Sequence, residues 1–149
     1  MQNPFDDTYF MKRALQEAQH AYDLGEVPIG AVIVCKDQII ARAHNLTETL
    51  NDVTAHAEMQ AFTSASDFLG GKYLKECTLY VTIEPCQMCA GASYWSQISK
   101  IIYGARDVQR GCISMKTTLH PKTKMMGGVL EEECGKLLSR FFVEKRNLN

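Results

Sequence analysis

The sequence predicts an α/β fold, because segments with helical and with extended patterns alternate along its 149 residues. Residues 78–83 and 100–105 are apolar and strand-like. Between them, Pro85 suits the first turn of a helix that runs to about residue 96. A strand, a helix and a strand at this spacing form a βαβ unit. The two strands are therefore expected to be parallel neighbours with a right-handed crossover.

A helix and a hairpin are expected before this unit. Apolar side chains recur at helical spacing over residues 7–24, with aspartates at the start and Gly25 at the end, which predicts a helix. Residues 31–35 and 38–43 contain many β-branched side chains and predict the two strands of a hairpin.

The remaining segments are predicted as a loop, two helices and one ambiguous stretch. Residues 44–53 are polar and indicate a loop, after which Thr54 is suited to cap a helix that ends near residue 66. The pattern of residues 107–124 is ambiguous. A last helix, most of it expected to face the core, is predicted by apolar residues at helical spacing, namely Leu130, Cys134, Leu137, Leu138, Phe141 and Phe142.

Composition and charge limit the class of protein. A chain of this length is most economically one domain, residues 1–149, and no apolar run approaches the roughly 20 residues of a membrane helix. The first residues resemble no secretory signal, so a cytoplasmic location is expected, where six cysteines favour metal binding over disulfides. With a net charge of −1, attraction to nucleic acid would have to come from a local patch.

Two short motifs contain residues suited to a catalytic metal site. A Thr-Ala-His-Ala-Glu motif provides His56 and Glu58, and a Pro-Cys-x-x-Cys motif provides Cys86 and Cys89. Zinc held by one imidazole and two thiolates keeps its fourth position free for water and lowers the pKa of that water toward about 7. Glu58 is not needed as a ligand and would then be available to move a proton.

Three other interpretations fit parts of this pattern. The two cysteines alone would also suit a thioredoxin-like redox pair, but such a pair has no use for the histidine and glutamate. A structural zinc would need a fourth protein ligand, and a zinc-stabilised binding module would leave Glu58 without a role. The other cysteines lie in or beside apolar runs and are expected to be buried, namely Cys35, Cys77, Cys112 and Cys134.

The combination of His-x-Glu with Pro-Cys-x-x-Cys is the signature of zinc nucleobase deaminases. Four stretches, residues 27–34, 54–58, 78–92 and 103–107, closely resemble bacterial tRNA-specific adenosine deaminases of the cytidine deaminase superfamily. This resemblance implies a three-layer α/β/α sandwich around a five-stranded mixed sheet. It also implies a homodimer and the conversion of the wobble adenosine, in the anticodon stem-loop of tRNA, to inosine.

The resemblance also implies a role for each residue of the motifs. His56, Cys86 and Cys89 would bind one zinc ion, and Glu58 would take a proton from the bound water and pass it to the base. Hydroxide would attack C6 of the adenine, and ammonia would leave. Among the residues expected to contact the base, Asn45 would donate or accept hydrogen bonds, and four others would line the pocket, namely Val27, Pro28, Ala57 and Ile83.

Two departures from the family pattern keep a second substrate class open. His120-Pro121 is followed by Lys122-Thr123-Lys124, where tRNA enzymes commonly have Asn-His. Tyr94-Trp95 resembles a Tyr-Trp pair of bacterial guanine deaminases, although both side chains would also suit simple packing. A free-base or nucleoside deaminase is therefore the alternative interpretation.

Basic residues offer a surface for RNA. Between residues 100 and 124 there are six basic residues and a single acid, Asp107. Arg106, Lys122 and Lys124 in this region are expected to contact RNA phosphates.

Overall fold

A computed structural model describes residues 3–148. The described part contains four helices and five strands, in chain order α1 (Asp7–Asp23), β1 (Gly30–Cys35), β2 (Gln38–His44), α2 (Ala57–Leu69), β3 (Cys77–Ile83), α3 (Gln87–Ser96), β4 (Lys100–Ala105), β5 (Lys124–Met126) and α4 (Glu131–Asn147). The predicted strands differ from the observed ones by at most one residue at either end. β5, which is three residues long, has no recognisable pattern in the sequence.

The five strands form one mixed sheet in the order β2-β1-β3-β4-β5. β1 is antiparallel to β2 and to β3, whereas β3, β4 and β5 are parallel. The predicted parallel βαβ unit, β3-α3-β4, is therefore confirmed. In this unit Thr78 pairs with Lys100 at one end of the sheet, and Ile83 pairs with Ala105 at the other.

Helices cover both faces of the sheet. Along β1, Ala31 and Ile33 belong to the apolar cluster beneath α2, while Val32 and Val34 belong to the cluster beneath α1. This alternation is the period of two that a strand buried on both faces requires. α4 contributes Cys134 to the α1 cluster. The predicted three-layer α/β/α sandwich is thus confirmed.

The last helix is less buried than its apolar pattern predicts. Only Cys134 and Phe141 of α4 are buried, and Phe142 is 46% exposed. The prediction that most of this stripe faces the core is therefore wrong. Within residues 3–148, none of the helices has both the length and the apolar character needed to span a membrane.

Candidate metal centre and its cavity

The metal centre lies where the N-termini of two helices meet beyond the carboxyl end of β3. His56 is the N-cap residue of α2 and Cys86 is the N-cap residue of α3, and neither side chain caps its helix. Glu58 and Cys89 lie in the first turns of the same two helices. The unpaired N–H groups and the positive dipole ends of these helices favour thiolate and other anionic groups at this point.

Both helices begin later than the sequence predicts. The Thr54 hydroxyl donates to Asp52 Oδ1 at 2.8 Å and forms part of the preceding turn, so Thr54 does not cap α2. Pro85 lies one residue before the N-cap of α3, and not in its first turn. These shifts place His56 and Cys86 at the cap positions, where their side chains are free to bind a metal.

The structure brings the three predicted zinc ligands together. His56 Nδ1 lies 3.6 Å from Cys86 Sγ and 3.5 Å from Cys89 Sγ. Zinc bonds of about 2.3 Å to sulphur and about 2.0–2.1 Å to nitrogen place tetrahedral S and N ligands about 3.5–3.6 Å apart. The donor set and its spacing therefore fit zinc. Within the described part of the chain this cluster has three ligands and no fourth, which leaves an open coordination position.

Hydrogen bonding within the cluster prepares the ligands for a cation. The neighbouring Cys89 thiol lowers the pKa of Cys86 to about 4, and the neighbouring Cys86 raises the pKa of Cys89. The hydrogen bond to Cys86 also raises the pKa of His56. A bound divalent ion deprotonates coordinating thiols, so zinc would displace the proton from Cys89, whose pKa is raised.

Glu58 is buried beside these ligands but is not one of them. Its side chain is 2% exposed, and burial raises the pKa of its carboxyl group to about 7. Within residues 3–148, Glu58 Oε1 has no hydrogen-bond partner. Burying an oxygen without a hydrogen-bond partner raises the free energy of the folded protein. A water or substrate group that donates a hydrogen bond to this oxygen would remove that penalty.

The cluster opens into a cavity of about 360 Å³, a size suited to a small ligand. The predicted base-contact residues Asn45, Val27, Ala57 and Ile83 line it. Pro28 was also predicted to line the cavity, but it is buried and does not. The next residue, Ile29, lines the cavity in its place. The remaining lining residues come from the metal cluster, from the first turn of α2, from the surrounding loops and from α4, namely Thr47, His56, Glu58, Glu84, Cys86, Asp107, Arg110, Leu138 and Phe142.

Glu26, which sequence reasoning missed, fixes the loop that carries Asn45. This fully buried carboxylate accepts hydrogen bonds from Glu48 N at 3.0 Å, from Thr49 N and Oγ1 at 2.6 Å, and from Asn45 Nδ2 at 3.4 Å. Burial raises its pKa, but the hydrogen bonds from Thr49 and Glu48 outweigh burial and hold the pKa below the usual value. Asn45 Nδ2 also donates to Thr47, so the amide oxygen of Asn45 is left to accept a hydrogen bond from a ligand.

Replacing Glu26 by glutamine should loosen this loop. In either orientation the amide nitrogen of glutamine would face at least one backbone N–H donor, and a buried charge-assisted hydrogen bond contributes about 1.5–3 kcal/mol. We expect urea denaturation to show a stability loss of about that size. We also expect a higher KM for the substrate, because Asn45 loses its support. Glu48→Gln is the matched control, since Glu48 is exposed and takes part only through its backbone N–H; an equal loss in both variants would contradict this role.

Glu84 is a second buried carboxylate, and it fixes the loop on the other side of the cavity. It accepts hydrogen bonds from Arg106 Nε and Ile113 N at 2.8 Å and from Asp107 N at 3.1 Å. A Cβ on Gly111 would overlap the Glu84 carboxylate, so this position requires glycine. Both Glu26 and Glu84 stand next to recognised motifs, and that position is the only signal of their role in the sequence.

The predicted basic contacts lie at two different places. Arg106 is beside the cavity, where Glu84 binds its guanidinium, and the exposed Arg110 lines the cavity and has no ion-pair partner within the described residues. Lys124 pairs with Lys100 at the opposite end of the sheet, and Lys122 precedes it. Five residues along β4 at about 3.3 Å each separate the two ends by about 17 Å. Lys122 and Lys124 therefore do not reach the cavity of their own chain.

Tyr94 and Trp95 also lie outside the cavity. Trp95 is 77% exposed and, with Tyr73, lines a shallow groove between α2 and α3. Tyr94 packs edge-to-face on the His120 ring, with ring centroids 5.6 Å apart. Packing within the chain therefore explains the position of the Tyr94 side chain, but it does not explain why the Trp95 side chain is exposed.

The fold and this site define a zinc-dependent hydrolase of the nucleobase deaminase class. A family model for the cytidine and deoxycytidylate deaminase zinc-binding region matches residues 4–105. The tRNA-specific adenosine deaminase of Bacillus subtilis (strain 168) is 47% identical over 146 residues, which cover 94% of this chain and 91% of that protein. The chain therefore belongs to the cytidine and deoxycytidylate deaminase family, in the branch of the tRNA-specific adenosine deaminases.

Two solved structures extend this comparison. A structure from a study of A-to-I editing by tRNA:A34 deaminases at the wobble position has a TM-score of 0.83 and 41% identity, covering 88% of this chain and 99% of that chain. Guanine deaminase from Bacillus subtilis has a TM-score of 0.62 and 43% identity, but covers only 65% of this chain and 62% of that chain. The similarity to the first structure is the more extensive of the two.

Proposed function

We propose that this chain converts the wobble adenosine of tRNA to inosine in the cytoplasm, with release of ammonia. The relatives that act on tRNA support this substrate because their similarity extends over nearly the whole chain. The observation that supports the reaction is the unpartnered, buried Oε1 of Glu58 beside a three-ligand metal cluster in the lining of one cavity.

The residues of the cavity divide the chemistry among them. His56, Cys86 and Cys89 would hold a zinc ion, which would act as a Lewis acid and lower the pKa of water. Glu58 would take a proton from the water as its oxygen bonds to C6 of the adenine and pass this proton to N1 of the base. It would then carry the proton of the new C6 hydroxyl to the amino group, which leaves as ammonia as the bond from C6 to nitrogen breaks. The amide oxygen of Asn45 accepts a hydrogen bond from the base. Ala57 and Ile83 provide apolar lining that keeps other water out of the cavity.

Inosine formation at one position tests this proposal. An anticodon stem-loop with adenosine at the wobble position should acquire inosine there, as measured by nuclease digestion and mass spectrometry of the nucleosides. The same stem-loop with cytidine at the wobble position, and adenosines elsewhere in the loop, is the matched substrate control and should acquire none. Inosine in the control, or none in the test substrate, would contradict the assignment to the wobble adenosine.

We propose that Arg106, Lys122 and Lys124 contact RNA phosphates at different distances from the reacting base. Because Lys122 and Lys124 lie about 17 Å along the sheet from the cavity end, they would contact the stem of the RNA and not the flipped base. Arg106 and the neighbouring Arg110 lie beside the cavity and would contact the loop.

Replacing Lys122 and Lys124 together by glutamine should therefore weaken binding of a full stem-loop. The slope of log affinity against log salt concentration should become shallower by about one to two. The reason is that each phosphate contact contributes about one to the magnitude of this slope. An oligonucleotide of the loop alone should be turned over as before. The double variant Lys12→Gln/Lys36→Gln removes the same charge elsewhere on the exposed surface and serves as the control. An unchanged salt slope in the Lys122/Lys124 variant would contradict the RNA contact.

We propose further that two copies of the chain associate through the groove between α2 and α3. Its exposed aromatic side chains, Tyr73 and Trp95, are 47% and 77% exposed, and exposed aromatic patches favour association. Light scattering should give the mass of a dimer for the wild type and a lower mass for Trp95→Asp. A monomeric wild type would contradict the proposal.

A further inference from the structure

A second cluster of metal-ligating side chains lies on the α1 side of the sheet. It consists of Glu17 and His20 from α1 and His44, the last residue of β2. None of the three takes part in the zinc cluster or lines the catalytic cavity. The cluster is therefore a separate feature, and its role goes beyond the proposed function.

The donor atoms of this cluster lie close to one another. Glu17 Oε1 lies 3.1 Å from His44 Nδ1, and Glu17 Oε2 lies 3.5 Å from His20 Nδ1. One donor atom from each residue lies within 4.8 Å of the other two. Zinc bonds of about 2.0–2.2 Å to nitrogen and oxygen place neighbouring tetrahedral donors about 3.3–3.6 Å apart. The two short distances involve different oxygens of Glu17, so the three side chains would have to rotate for one ion to bind one donor atom of each.

Rigid secondary structure holds the three residues in place. Glu17 and His20 are three residues apart and share one face of α1. His44 is fixed by the pairing of its residue with Gly30 in the sheet, and its carbonyl accepts a hydrogen bond from Gln60. Glu17 and His44 are largely shielded, with 13% and 22% of their side chains exposed, whereas His20 is 62% exposed and gives access from solvent.

The electrostatic surroundings favour a cation. His20 lies in the last turn of α1, at the negative end of the helix dipole. Asp23 lines the same surface cleft and adds a negative charge, whereas Arg42 is the opposing positive charge in that lining. Two imidazoles and one carboxylate suit zinc, nickel or copper, and not the hard cations magnesium and calcium.

We propose that Glu17, His20 and His44 bind a second divalent transition-metal ion, for which zinc is the probe. The ion would join the end of α1 to the end of β2. Because Asn45 follows His44 directly, the ion would also stabilise the start of the loop that carries Asn45.

Zinc titration of the enzyme that already holds its catalytic zinc tests this proposal. After dialysis to one zinc per chain, isothermal titration with zinc should reveal one further equivalent, and titration with magnesium should reveal none. His20→Gln, an exposed change, should weaken the second equivalent at least tenfold while zinc at the first site and deaminase activity stay unchanged. His44→Gln should weaken it similarly, and Arg42→Gln should strengthen it.

His120→Gln is the matched control, because His120 is also accessible but lies in a different cleft. A second equivalent that survives His20→Gln, or one that His120→Gln removes, would overturn the proposal. A wild type that binds no second zinc would overturn it as well. Thermal unfolding gives an independent measurement: excess zinc should raise the Tm of the wild type and of His120→Gln, but not that of His20→Gln. None of these outcomes depends on whether the substrate is tRNA.

Discussion

Replacing Glu58 by glutamine should lower kcat by about 10²–10⁴ while each chain keeps about one catalytic zinc ion. Glutamine has nearly the same shape as glutamate, so the buried site should remain packed, but its amide cannot accept a proton from water. Ammonia release from the stem-loop substrate measures the activity, and elemental analysis of the dialysed protein measures the zinc.

The zinc content decides between two roles for Glu58. Zinc retention with lost activity is expected because His56, Cys86 and Cys89 already supply three ligands within tetrahedral reach of one another. Loss of zinc from Glu58→Gln would make this carboxylate a ligand and would overturn the proton-transfer role. Wild-type activity in this variant would contradict the mechanism as a whole.

Replacing Cys89 by alanine should remove the catalytic zinc and reduce deamination to background. Cys89 is fully buried in the first turn of α3, and within residues 3–148 the only other cysteine in the zinc cluster is Cys86. Loss of one thiolate leaves two ligands, which is too few for a stable zinc site. Elemental analysis and ammonia release measure both effects.

Cys112→Ala is the matched control for this change. Cys112 is 2% exposed, and its thiol packs near Met125 Sδ at 3.9 Å, outside the metal cluster. This variant should keep its zinc and its activity, apart from a modest loss of stability from the smaller side chain. Zinc loss from Cys112→Ala would support a structural zinc with a fourth cysteine ligand and would contradict an open catalytic position.

The metal centre could be predicted from the sequence because its geometry is local. Cys86 and Cys89 are a cap residue and a first-turn residue of one helix, and His56 and Glu58 occupy the equivalent positions of another. Short motifs therefore specify the relative positions within each pair. The parallel pairing of β3 and β4 was also predictable, since two apolar strand-like runs with a helix between them form a βαβ unit.

The supports of the cavity could not be predicted because their partners are distant in the sequence. Glu26 binds backbone groups 22 and 23 residues away, and Glu84 binds Ile113, 29 residues away. No periodic pattern indicates such pairs.

The prediction that most apolar residues of α4 face the core was wrong for a related reason. Phe141 is buried against the core, whereas Leu138 and Phe142 line the cavity. Helical spacing alone cannot distinguish a side chain that faces the core from one that faces a binding site. The apolar pattern therefore predicted the helix correctly but overestimated its contribution to the core.

A comparison of substrates tests the central claim of a tRNA deaminase most directly. Ammonia release should be measured from an anticodon stem-loop with a wobble adenosine and, in parallel, from guanine, adenosine and cytosine. We expect kcat/KM for the stem-loop to exceed that for each of the three small substrates, and Glu58→Gln to lower release from the stem-loop by about 10²–10⁴. Efficient release from guanine with none from the stem-loop would contradict the claim and assign the site to a free-base deaminase.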